Sequence, residues 1–329
     1  MRLEPQAATS STAAPRLPAA AADAAHRQQE RRVRVGLWLG ALGMLIFAFT
    51  IPMTRLACGG GDAPQLDPVF VAIGRAGVAG LLSLAYLVAT RAPWPHRSHW
   101  AMLLLTLLGN VIGWPLLLGL AVRRVDAMHA SVISGLMPLT TAMLGALLLR
   151  QRPSGGFWVF ALLGAALVVG FAAWRGAGLP QVADLLLLGA IAASSLGYIT
   201  GVRVTQGPHA LTPEQTISWV LVLGLPLTLP VLVLLWPAGT VHPSAWAGFA
   251  YVAVMSMWMG FFAWYRGLAW GGTLRVSQVQ LLQPFVSVLL SVPLLGERLE
   301  PATLGFSVAV MACVYFGRRM STGAAGGRP

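Results

Sequence analysis

The sequence predicts an all-α integral membrane protein with ten transmembrane helices in two inverted five-helix repeats. Three observations carry this expectation. The 329 residues are 57% hydrophobic and 10% charged, with a mean hydropathy of +0.72. Soluble domains hold roughly 25% charged residues, so lipid is the solvent for most of this chain. Ten apolar runs follow one another, each near the roughly 20 residues with which a helix crosses a bilayer. Finally, a proline-interrupted helix is written twice, as "LMPLTTAMLGALLLRQR" at 136–152 and "LQPFVSVLLSVPLLGER" at 282–298. At an offset of 146, Pro138 falls on Pro284 and Arg152 on Arg298.

Taken in order, residues 1–34 are rich in Ala, Pro, Gln and Arg without apolar periodicity, and read as a disordered tail rather than a signal peptide. The expected spans are 35–56, 69–90, 100–121, 128–149 and 157–174, then 183–202, 214–236, 245–266, 275–296 and 302–320. They group into a first repeat, 35–174, and a second, 183–320, with residues 321–329 as a second disordered tail. The connectors "RAPWPHRSH", "RQRPSGG", "WRGAGLPQ", "WPAGTVHPS" and "GERLEP" are short and carry Pro, Gly or charge. In hydrocarbon each span must satisfy its own backbone, and no strand-like alternation is present, so the runs are helices and not barrel strands.

All 22 basic residues are Arg, a composition that fits a GC-rich bacterial genome. With the N-terminus in the cytoplasm, sixteen Arg lie on the cytoplasmic side and five on the other, so both termini are expected inside a bacterial inner membrane. The +12 charge is spread between apolar runs, which argues against nucleic acid as a partner. The expected partners are the bilayer and a small-molecule substrate; a homodimer is left open. Five spans per half invert the second half relative to the first. In this transporter plan the substrate site lies near the midplane between the halves.

The residues that carry the repeat are Ser131, Pro138 and Leu139 in the first half, and Ser277, Pro284 and "LGERL" at 295–299 in the second. On these the chain, over about 35–320, resembles the EamA-type transporters of the drug/metabolite transporter superfamily. Arg75 in the second span fits the same resemblance. Gln151 departs from it, standing where the family often has Glu, whereas Glu297 is kept. The resemblance implies export or exchange of small metabolites, amino acids among them.

Candidate site residues follow from polarity in the wrong solvent. A proline inside a helix frees the carbonyl four residues earlier, here on Ser134 and Gln280, and such a group needs a partner or a wet cavity. Around each proline runs a polar stripe at helical spacing: Ser131, Ser134, Pro138 and Thr141, then Ser277, Gln280, Pro284 and Ser287. Serine and threonine also serve as ordinary packing residues between membrane helices. Gln280 and Gln283 favour a cavity, because amides cost more to leave facing lipid. Arg75, well inside its span, is a candidate by burial cost alone; snorkelling or a structural hydrogen bond is its alternative role. Trp114 and Trp258, on spans that also carry Asn110 and Tyr265, would suit the aromatic wall of a small amphipathic ligand. Trp94, Trp100, Trp174, Trp236 and Trp246 fall at span ends as interfacial anchors.

No acidic residue falls in mid-span, which weighs against a carboxylate proton relay, and His129 reads as an interfacial histidine beside Asp126. Cys58 and Cys313 lack metal-type spacing, and "GGG" at 59–61 lacks the Lys-Ser/Thr of a phosphate loop, so no cofactor or metal is expected. The chain thus reads as a non-enzymatic exporter or facilitator of small neutral or zwitterionic metabolites, working by alternating access. Its alternatives are a non-transporting sensor or assembly subunit and an intramembrane lipid-modifying enzyme.

Overall fold

The computed structural model describes residues 19–148, 154–175, 181–207, 209–271, 276 and 279–323. Among them there is no strand, only an isolated bridge between Gly59 and Pro64. Among the described residues eight helices are long and apolar enough to cross a membrane: α1 (Arg27–Cys58), α2 (Phe70–Ala89), α3 (Arg97–Val122), α4 (Ala127–Gly145), α5 (Gly155–Arg175), α6 (Val182–Val204), α7 (Pro213–Leu234) and α8 (Pro243–Leu268). Two shorter apolar helices follow, α9 (Gln280–Leu295) and α10 (Pro301–Gly317). The protein is an all-helical, multi-pass membrane protein.

The described parts of both expected tails are helical. Helical backbone begins at Ala19, inside the expected 1–34 tail. Ala19 to Ala22, Ala24 and Ala25 are the strongest helix formers. At the other end the last helix runs to Gly323, past the expected boundary at 320.

The written breaks in α4 and α9 are real, but they fall just before the prolines. The helix Ala127–Ser134 ends at Gly135, and a new one, Met137–Leu148, places Pro138 in its first turn. In α9 the 3-10 turn Gln280–Leu282 precedes the helix Gln283–Leu295, which again holds its proline, Pro284, in the first turn. There the missing proline N–H costs nothing. Nor is the carbonyl of Gln280 left bare, because the N–H of Gln283 donates to it. The sequence argument that this carbonyl needs a wet cavity is therefore replaced by local 3-10 bonding.

Helix pairing has a regular form. Helix α1 packs along α8, α3 along α6, α2 against α7, α4 against α9 and α5 against α10. The α1–α8 pair brings backbones together through glycine: a Cβ on Gly267 would lie 2.5 Å from the amide nitrogen of Gly40. Without a hydrophobic drive between helices in lipid, such close packing and interhelical hydrogen bonds hold membrane helices together. Phe157, Phe171, Ile133 and Leu187 fill one apolar core, and Leu103, Val220, Leu221 and Trp264 a second. Large side chains such as Val88, Leu162, Leu185 and Leu234 point outward and make an apolar exterior suited to hydrocarbon.

Candidate functional site

Three helices lose their regular α geometry around one point. Phe70–Gly74 in α2, Leu107–Gly113 in α3 and Tyr251–Met259 in α8 are π-helical. Such widened turns are rare and concentrate at functional positions. Arg75 directly follows the first, Asn110 lies within the second, and Ser256 and Met257 lie within the third. All four line one cavity, with Thr50, Ser194, Tyr198 and Gln283 as further polar members and Phe47, Trp114, Met137 and Phe261 as apolar ones. Its volume is about 40 Å³. At roughly 10–15 Å³ per water on this measure, it has room for a few waters and not for a metabolite.

Polar groups in the cavity are incompletely paired. Thr50 and Ser256 share a hydroxyl–hydroxyl bond of 2.8 Å across α1 and α8. The Ser194 hydroxyl donates to Asn110 Oδ1 at 3.3 Å, while Asn110 Nδ2 has no partner. Gly197 on α6 makes room for this amide: a Cβ there would sit 2.6 Å from Asn110 Cγ. Arg75 is 3% exposed. It has no hydrogen-bond or ion-pair partner among the described residues, and its Nε is fully sealed.

Arg75, Asn110, Trp114 and Gln283, all named from sequence, meet at this cavity. The described stripe residues lie elsewhere. Ser131 donates to the carbonyl of Ala127 at 2.7 Å, so in its 2.8 Å contact with Ser287 it is Ser287 that donates. This pair ties α4 directly to α9. Thr141 donates to Ser195 Oγ at 2.9 Å and ties α4 to α6. Ser134 is buried with its hydroxyl unpaired. Gln280 is half-buried in its 3-10 turn. Pro138 is half-buried in the first turn after the break, and Pro284 packs toward Gly135. Trp258 stacks at a tilt on Phe262 with its Nε1 unpaired, and Tyr265 packs on Phe261. Ser277 lies outside the described residues.

Sequence reasoning missed Thr50, Ser194, Tyr198 and Ser256. One signal was present for Ser256, which stands 146 positions after Asn110, the offset of the written repeat.

Polar contacts gather at one end of the helix bundle. The carboxylate of Glu297, after α9, accepts the N–H groups of Ala127 at 2.7 Å and Met128 at 2.9 Å. A negative charge there complements the helix dipole and caps orphan donors at the start of α4. Burial pushes the Glu297 carboxyl above its usual range, with the two N–H bonds pulling it back. Arg175 bridges Asp126 at 2.6 Å and Glu300 at 3.2 Å. Arg123 donates to the carbonyls of Cys58 and Leu66, and Arg55 to that of Val122. His129, beside Asp126 as its place in the chain implies, is 2% exposed and bonded to Asp184 at 2.5 Å, a partner the sequence did not indicate.

The sequence matches the EamA-like transporter family over residues 34–172 and again over 181–317. YdeK of Bacillus subtilis (strain 168), described as an uncharacterized transporter, is 40% identical over 287 residues, which cover 86% of this chain and 97% of YdeK. A solved crystal structure with 18% sequence identity superposes with a TM-score of 0.57, covering 88% of this chain and 98% of that one. At that identity the likeness concerns the fold alone. With a family match spanning most of its length and a relative of this similarity, the chain belongs to the EamA-like transporter family and is a membrane transporter.

Proposed function

We propose that this transporter is a bacterial inner-membrane exporter or facilitator of small neutral or zwitterionic metabolites, with both termini cytoplasmic, working by alternating access between two inverted five-helix halves. The observation that carries the reading is the buried cavity itself. Phe47, Thr50, Arg75, Asn110, Trp114 and Met137 come from the first half of the chain, and Ser194, Tyr198, Ser256, Met257, Phe261 and Gln283 from the second. A midplane site shared by two halves is the arrangement that rocking of one half against the other exposes to each side in turn. Helix pairing supports the inversion, since α1 meets α8 as α3 meets α6, and the other pairs are self-related by the same exchange. The Glu297 end is outermost in the topology set by Arg counts. Its cross-half contacts then make an outer gate, closed over a cavity too small for a solute, and transport requires the halves to part.

Reporter fusions at Arg328 and in the loop at Gly239 test the topology, with opposite sides expected. Cells expressing the chain should release or resist a defined set of metabolites more than cells lacking it. A water-soluble thiol reagent should reach Ser256→Cys. No change in any solute's flux, together with an inert Cys at 256, would overturn the reading.

A further inference from the structure

We propose that Arg75 and Asn110 form an anion-binding pair that holds a carboxylate of the transported solute; this rests on the cavity being the transport site. Arg75 brings a permanent positive charge into the protein interior, and no acidic side chain answers it among the described residues. A buried cation without a counterion is expensive, and a few waters in the cavity offset only part of that cost. Asn110 adds an unpartnered Nδ2 donor to the same cavity. Its Oδ1 is already held by Ser194, which fixes the amide with its donor side free. A guanidinium and an amide donor present N–H groups and no charge-matched acceptor, the chemistry that a carboxylate completes. The remaining cavity polar groups are uncharged, so nothing there matches a cationic group with a carboxylate of its own. Phe47, Phe261, Trp114 and Met137 provide the apolar surface for the solute's other end. The class selected is therefore a small carboxylate with an apolar tail, as a monoanion or a zwitterion, and against amines that lack the acid.

The test uses the full-length chain in detergent and in proteoliposomes, with matched probes built on alanine-, leucine- and phenylalanine-sized tails. Each tail is offered as the amino acid, the simple carboxylic acid, the amino-acid amide and the decarboxylated amine. The acids of at least one tail should raise the melting temperature and be carried, and the matching amide and amine should not. Arg75→Gln should abolish the acid-induced shift while raising the melting temperature of the unliganded protein, because an unpaired buried charge is removed. A purely structural arginine would instead leave that variant less stable. Gly197→Ala, which crowds the amide without removing it, and Asn110→Ala should each weaken acid binding about tenfold. If amides and amines are carried as well as the acids, or no acid of any tail binds, the pair is overturned. In either case flux of an uncharged solute through the intact protein would leave the transport reading standing.

Discussion

The carboxylate of Glu297 caps the amide of Ala127 at 2.7 Å and that of Met128 at 2.9 Å, joining the end of α9 to the start of α4 across 170 and 169 positions of sequence. Removing it leaves two backbone donors at a helix start unpaired. Glu297→Ala should cost about 1–3 kcal/mol, read as a lower melting temperature. It should also speed labelling of Ser287→Cys by a water-soluble thiol reagent. An unchanged labelling rate would mean that the contact does not hold this end closed.

The same carboxylate sets a pH dependence. Burial raises its pKa in the closed state above the ordinary 4.5. The sign follows by linkage: a raised pKa favours the protonated, closed form, and that contribution is complete below the ordinary value and lost as pH rises through the raised one. Labelling of Ser287→Cys should therefore increase with pH across that window, after correction for the thiol's own ionisation. In Glu297→Gln the dependence should flatten, and an equal dependence there would assign it to another group.

Ser131 and Ser287 meet at 2.8 Å between α4 and α9. Interhelical hydrogen bonds in membranes average only about 0.6 kcal/mol, because unfolded states in lipid also find partners. A double-mutant cycle to alanine should give a coupling of about that size. A coupling of zero would reduce the contact to packing.

His129 and Asp184, 2% and 3% exposed, hold each other at 2.5 Å, and Asp184 also accepts the N–H of Gln181 at 2.6 Å. Asp184→Ala strands the His129 ring nitrogen in the interior and removes the cap of the exposed Gln181 N–H, and should destabilise by about 3 kcal/mol or more, with His129→Phe costing less because Asp184 keeps its backbone bond. Equal losses would indicate that the pair, not the cap, carries the effect.

Gly267 sits where its Cβ would come within 2.5 Å of the Gly40 amide nitrogen. Gly267→Ala must push α1 and α8 apart and should lose about 1–3 kcal/mol, visible as reduced yield and melting temperature. The control Gly239→Ala, with open space around it, should be silent.

Much of this protein was legible in its residues alone. Helical, membrane-embedded character follows from ten apolar runs with few charges, because lipid leaves a backbone no other way to satisfy itself. The family was legible in Ser131, Pro138, Ser277, Pro284 and "LGERL". Arg75, Asn110, Trp114 and Gln283 stood out because each is polar or amphipathic inside an apolar span, and that cost is readable one helix at a time. Which of them share a space was not readable. The cavity lies where residues in or beside the π-helical turns of α2, α3 and α8 come together, and no residue pattern along a single helix encodes which neighbour it meets. The stripe at Ser131 and Ser287 shows the same limit. Periodicity put both on polar faces, but only the crossing of α4 and α9 decided that the two faces close on each other and bond. In the sequence Glu297 and Asp184 are only acids outside mid-span, because sequence measures distance along the chain. Burial and partner are set by helices that meet across the bundle, and that is a property of the tertiary fold.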